Sequence, residues 1–316
     1  MAYIDGHCDV LSKLLNHPEA DFYDSQLLQS SLPRMQESGA MLQFFAIYVS
    51  ERFAPFTFSP ILKSIDLFYT HIVSQPPMFV IRTAADVDNI VPRKRIGALL
   101  SLEGVDAVPA DLSYIRLLYQ LGVRAIGLTW NHANWAGDGA TEPRKGRLTR
   151  AGIALVKECE RLGILVDVSH LSERGFWDVA QHAKRAFFAS HSNVYDLCPH
   201  PRNLTEAQIH TIIKRDGMIG LTFVPDFVRQ TKERKVKASE LLTHIDYICA
   251  RGGSFHIGFG SDFDGVDEPL QGLEHAGKYG SFHNLLLKHY SAQETDRFLY
   301  GNWRRFLQSY LPQKNE

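Results

Sequence analysis

The chain has 316 residues, 45% of them hydrophobic and 22% charged, with a formal net charge of −1. That is the composition of a globular protein with a sizeable core, and its lack of a basic excess gives no footing for nucleic acid or an anionic membrane surface. No apolar stretch is long enough to span a bilayer. In chain order, the first strand-like run covers 3–8 and leads through His7-Cys8-Asp9. A second covers 41–49, followed by near-helical spacing of Ile61, Ile65, Leu67, Phe68 and Ile72 over 60–75. The third run, 97–102, leads into Glu103, and a helix is expected over 112–121. The fourth, 125–129, precedes Asn131 and His132. Thr149 supplies a capping hydroxyl for a helix that stops before Gly163. The fifth run, 164–168, leads to His170; Ser172 and Glu173 then open a helix to 184. The sixth, 186–190, leads to His191, and Thr205 with Gln208 forms a capping box for 205–215. The seventh run is 218–224, and the helix after it, 239–251, ends at Gly252-Gly253. The eighth, 256–261, leads to Asp262, and Ser291 with Glu294 opens a final helix through Asn302 and Phe306.

Eight alternations of strand and helix predict parallel strands joined by crossover helices. The expected fold is a (β/α)8 TIM barrel in a single domain over 1–316, with an open doubly wound sheet as the runner-up. No Pro/Gly/Ser-rich linker, charge block or internal repeat divides the chain. The Gly-rich, polar segment 267–279 follows the last strand and is expected to pass over the site. Cys8, Cys159, Cys198 and Cys249 form no CxxC pair and read as free thiols. Met1 runs directly into Tyr3-Ile4-Asp5 without a basic or apolar leader, and 311–316 is polar, so a cytoplasmic location is expected.

In such a barrel, chemistry gathers at the C-terminal ends of the strands. His7, Asp9, Glu103, His170, His191 and Asp262 all fall there. Residues i and i+2 of a strand face the same side, so His7 and Asp9 can reach one metal while Cys8 turns away. Glu103 has two oxygens and can bridge two ions, with His170 and His191 holding the second. Imidazole and carboxylate together, without thiolate, suit zinc or another first-row divalent ion at a catalytic centre. Asp262 is left over as a base that could carry a proton to a leaving amine, and Asp264 reads as a supporting or turn residue. Each residue alone has a plainer explanation: a hydrogen-bonded histidine at a strand end, a strand exit at Glu103-Gly104, a capping aspartate. Arg202 could pair with a surface carboxylate. His200 reads as structural, and His210, His244, His256, His283 and His289 as solvated or satisfied core histidines. The conjunction of donors on several strand ends is what favours a metal site.

Several segments carry a specific resemblance: Asp5-Gly6-His7-Cys8-Asp9, Ser101-Leu102-Glu103-Gly104, 165–170, 189–193, Cys198-Pro199-His200-Pro201-Arg202-Asn203-Leu204, 260–265 and Gly301-Asn302. Over nearly its whole length the chain resembles the renal (membrane) dipeptidase family. The resemblance implies a binuclear Zn2+ centre that cleaves dipeptides, including some with a C-terminal D-residue, by attack of a metal-bridging hydroxide. It implies His7 and Asp9 on one zinc, His170 and His191 on the other, Glu103 between them and Asp262 as proton shuttle. It also implies Arg202 on the substrate's C-terminal carboxylate, a role that suits a bidentate guanidinium. Animal members place a substrate-polarising histidine directly after the threonine of the fourth strand. Here Trp130 stands in that place, and the role is assigned to His132 two residues later. A related amidase or lactonase acting on N-acyl amino acids, and a non-catalytic ligand-binding descendant, are the alternatives. The expected partner is a dipeptide, with no nucleic acid or membrane; a homodimer stays open.

Overall fold

A computed structural model describes residues 1–24, 27–231 and 235–313, and in it the strand–helix alternation closes on itself. The strands are β1 (Tyr3–Asp5), β2 (Ala40–Tyr48), β3 (Met78–Val80), β4 (Ile96–Glu103), β5 (Val123–Gly127), β6 (Leu165–Asp167), β7 (Phe188–Ala189), β8 (Met218–Leu221) and β9 (Ile257–Phe259). Their order is β2-β1-β9-β8-β7-β6-β5-β4, and β2 also pairs with β4, which closes a ring of eight. All the pairings are parallel. The barrel expectation is thereby borne out over the open sheet. The sequence reading had no counterpart for β3, a three-residue strand paired with the start of β4 outside the ring.

Most strands are shorter than their apolar runs. β1 stops at Asp5, β6 at Asp167 and β7 at Ala189. The polar tails of those runs leave the ladder as loops, and the candidate ligands sit on them. The helices form where capping chemistry predicts. Thr149 Oγ1 accepts from the Gly152 amide, and the helix Arg150–Leu162 ends on Gly163 at φ +76°. Thr205 with Gln208 and Ser291 with Glu294 both make complete capping boxes. The last helix is interrupted: Ala292–Asp296 passes through a π turn, Arg297–Gly301, into Asn302–Tyr310. Segment 267–279 is less of a free loop than its composition suggests, since Leu270, Leu273 and Ala276 are buried and the Ala276 amide donates to the Gln29 carbonyl. The four cysteines are unpaired. Among the described residues no helix is long and apolar enough to cross a membrane. Of the polar C-terminal stretch, 314–316 lies outside the described residues.

The end of the barrel opposite the site is stoppered from the C-terminal helix. Trp303 is fully buried, packs on Phe44 and Phe188, and donates from its indole nitrogen to the Phe259 carbonyl at 3.1 Å. Space for the ring comes from a glycine just past β1 and another on β9: a Cβ at Gly6 or Gly258 would lie 2.5 or 2.2 Å from indole atoms. Asn302 beside it donates to the carbonyls of Ser254 and Ile257. We expect Trp303→Ala to lower the unfolding free energy by about 3–5 kcal/mol in denaturant titration. Gly258→Ala should be destabilising alone but much less so on the Trp303→Ala background, because the clash is with the ring itself.

Candidate metal centre

Each candidate ligand is aimed by a brace at a strand end. The Asp5 carboxylate, fully buried, accepts from the amides of His7 (3.2 Å) and Ser261 (2.8 Å) and from the Tyr279 hydroxyl. A side chain that takes its neighbours' amides ends the strand pairing there. It also locks the exit of β1 to that of β9. Cys8 makes a single bridge to Phe263 and is buried, while His7 and Asp9 turn back toward each other, Nε2 to Oδ2 at 3.3 Å. The outcome is the one i, i+2 alternation predicts, although both residues lie beyond the strand. Asp167 repeats the device: its Oδ1 accepts from Ser169 (2.9 Å) and Ser190 (3.0 Å), tying the exits of β6 and β7.

Glu103 closes β4 in register with Tyr48 of β2 and Gly127 of β5. Its Oε1 lies 2.8 Å from His170 Nε2 and 3.6 Å from His191 Nε2, and its Oε2 lies 3.6 Å from His7 Nε2. The two Nε2 atoms of His170 and His191 are themselves 2.8 Å apart. The other ring nitrogen of each is engaged, His170 Nδ1 with Asn131 Oδ1 at 2.8 Å and His191 Nδ1 with Ser190 Oγ at 2.7 Å. An amide oxygen only accepts, so His170 Nδ1 carries the proton and its Nε2 presents a lone pair.

Asp262 stands beside this group, Oδ1 at 3.8 Å from His7 Nε2. Gly265 makes the approach of carboxylates possible, since a Cβ there would lie 2.3 Å from Asp9 Oδ2 and 2.4 Å from Asp262 Oδ1. His170, Asp262 and Asp264 hold φ of +68°, +65° and +68°, a strained conformation for non-glycine residues. Asp264 accepts from the amides of Gln29 and Ser30 and acts as a support.

The electrostatics are those of a site short of positive charge. Burial pushes the carboxyls of Glu103 and Asp262 upward, and for Asp262 the neighbouring Asp9 adds to it. Burial also lowers His7, but Glu103, Asp9 and Asp262 outweigh it and raise the imidazole to about 10. His170 and His191 are driven well below their ordinary value by burial, with Arg202 and His7 adding to it, and stay neutral. His7 Nε2 and Asp9 Oδ1 are buried without a hydrogen-bond partner. His7, Glu103 and His191 group closely enough to share an ion, as do His7, Asp9 and Asp262. Orphaned buried donor atoms, neutral imidazoles and crowded carboxylates fit divalent metal.

A cavity of about 310 Å³ opens over the group, walled by Tyr48, Trp130, Asn131 and Phe227. Arg202 is buried behind it; its Nη2 donates to the His191 carbonyl at 3.2 Å and its Nη1 to Ser192 Oγ at 3.5 Å, while Nε has no partner.

A family model for membrane dipeptidase, peptidase family M19, matches residues 1–314. The chain belongs to the membrane dipeptidase family.

An M19 metallopeptidase, dipeptidase AC, superposes with a TM-score of 0.88 at 30% identity, covering 98% of this chain and 99% of its own. The metallopeptidase from Rhodobacter sphaeroides, solved with a phosphinate mimic of the dipeptide L-Ala-D-Ala, gives 0.87 at 28% identity, covering 98% and 99%. Among curated proteins, dipeptidase aclJ of Aspergillus oryzae is 31% identical over 82% of this chain and 65% of its own length. A protein from the pqqA 5′ region of Klebsiella pneumoniae is 34% identical over 72% of this chain and 87% of its own.

Of the positions singled out from the sequence, His7, Asp9, Glu103, His170, His191 and Asp262 meet in one group, with Arg202 behind it. His132 does not. Its imidazole is half exposed at the rim, 3.3 Å from Glu51 Oε1. The loop turns at Trp130, whose ring tilts over His170 at 5.9 Å and Tyr48 at 5.1 Å, and Asn131 is the residue that reaches inward. The sequence reading missed Tyr48 and Asn131 as site residues, and Asp5 and Asp167 as braces. The braces had a signal: Asp two residues before a strand-exit residue is the Asx-turn pattern, at 5–7 and again at 167–169. Asp167→Ala should lower metal affinity by roughly 10–100-fold in chelator competition, and Asp167→Asn, which keeps an acceptor oxygen, should recover most of it.

Proposed function

We propose that this chain is a zinc-dependent dipeptidase with two ions at the head of the barrel. The observation that carries the reading is the 2.8 Å approach of the His170 and His191 Nε2 atoms beside Glu103, next to the unpartnered His7 Nε2 and Asp9 Oδ1. In this reading His7 and Asp9 would hold one ion, His170 and His191 the other, and Glu103 would serve both. Bound there, the ions supply Lewis acidity at a carbonyl oxygen and acidify water from its bulk value toward a pKa of ~7.

The chain's own side chains do the rest. The Arg202 fork takes the substrate's C-terminal carboxylate; its Nη atoms meet only neutral oxygens and its buried Nε has no partner, so no protein carboxylate satisfies it. Tyr48, Trp130 and Phe227 give the cavity aromatic walls beside its carboxylates. Asp262 Oδ1 takes the proton of the attacking water and delivers it to the departing amine. Its pKa, lifted by burial and by Asp9, suits a group that must accept and then release a proton. Acceptance of a C-terminal D-residue is supported by the L-Ala-D-Ala mimic bound to the Rhodobacter relative. Polarisation by His132 is not part of this reading, because that imidazole faces Glu51 at the rim.

Asp262→Asn should lower kcat by roughly 10²–10⁴ while elemental analysis still finds about two zinc per chain; full activity, or loss of the metal, would remove it from the proton-transfer role. Arg202→Ala should chiefly raise KM for dipeptides with a free carboxylate. An equal loss against C-terminally amidated substrates would sink the clamp.

A further inference from the structure

A second cavity, of about 500 Å³, opens beside the first. The two share a single lining residue, His170, and Arg202 lines the second but not the first. We infer that the second cavity receives the C-terminal residue of the substrate and selects large side chains there. The inference rests on the dipeptidase reading above and adds a substrate class to it.

The direction follows from Arg202. Arg202 is 3% exposed, its Nε is unpartnered, and its Nη atoms contact only neutral oxygens, at 3.2 and 3.5 Å. A carboxylate that reaches it must do so from the cavity it lines. A dipeptide so anchored crosses from one cavity to the other at His170. Its scissile bond then lies beside His170 and Glu103, and its N-terminal residue occupies the smaller space under Tyr48 and Trp130.

The selection follows from size and walls. The cavity given to the C-terminal residue is the larger of the two, at 500 against 310 Å³, so glycine or alanine leaves most of it unfilled. Leu171, Leu204, Pro199 and Tyr195 line it, and these favour apolar contact. Of its charged lining residues other than Arg202, Lys145 and Glu173 are exposed and Glu142 is half-buried, two carboxylates to one ammonium, which disfavours an anionic side chain. Among uncharged side chains contact area decides.

The test compares the zinc-loaded full chain on alanyl-glycine, alanyl-leucine and alanyl-phenylalanine. The kcat/KM should rise roughly tenfold or more from the first to the last, the scale of discrimination by apolar filling. Pro143→Trp, at the exposed rim of the cavity, should remove most of that rise while leaving alanyl-glycine within about twofold. Tyr195→Ala should lower the rate for alanyl-phenylalanine selectively. A preference for alanyl-glycine, or a uniform change across the three substrates in both variants, overturns the inference and leaves the dipeptidase reading standing. Failure of the metal-loaded protein to cleave any of the three overturns the dipeptidase reading, and the inference with it.

Discussion

Carboxylates and imidazoles at the head of this barrel are held closer than their own charges and lone pairs favour. Asp9, Glu103 and Asp262 converge on His7, and His170 and His191 point neutral nitrogens at one another. Arg202 is the buried cation behind them, and it makes no ion pair with any of these carboxylates within 4 Å. Left to itself, such a group relieves the crowding by taking up protons, which is the direction in which His7, Glu103 and Asp262 are all pushed. A divalent ion relieves it without protons, and much of the surrounding architecture serves to keep that option open.

The crowding is sustained by backbone geometry. Asp5 and Asp167 each take the amides of two neighbouring strand exits, so the loops that carry His7, His170, His191 and Asp262 are tied in pairs. His170 and Asp262 sit at positive φ, and the carbonyl of His170 is held by the Ala140 amide and the Thr129 hydroxyl. Strain of this kind persists only where surrounding contacts over-determine it. Gly265 completes the arrangement, because any side chain there would collide with Asp9 and Asp262.

That strain needs a rigid base. At the opposite end the barrel is filled by Ile4, Phe44, Phe188 and Met218, and closed by Trp303 and Phe306 from the C-terminal helix. The glycines that admit the indole, Gly258 on β9 and Gly6 just past β1, precede Asp262 and His7 on the same strand exits, so the plug reaches from the opposite end to just beneath the chemistry. This division, stability at one face and reactivity at the other, is general to the fold.

Much of this was legible in the chain itself. The strand–helix alternation, the capping boxes at Thr205 and Ser291, and the position of each donor after an apolar run are local patterns, and local patterns follow from backbone periodicity and hydrogen bonding without knowledge of distant residues. They determined a parallel barrel with His7, Asp9, Glu103, His170, His191 and Asp262 on one rim. Only the tertiary structure decided what depends on residues far apart in sequence. Strand length is one case, since β1 and β6 end where Asp5 and Asp167 capture amides on the next loop as well as their own. The exit of β5 is another: the family resemblance carried a site role to His132, but Trp130 packs on Tyr48 and His170, the chain turns, and Asn131 reaches the site while His132 meets Glu51 at the rim. The orientation of Arg202 toward a second cavity is a third. In each case the outcome is set by packing between loops of different strands, and a one-dimensional pattern holds no record of which loops will touch.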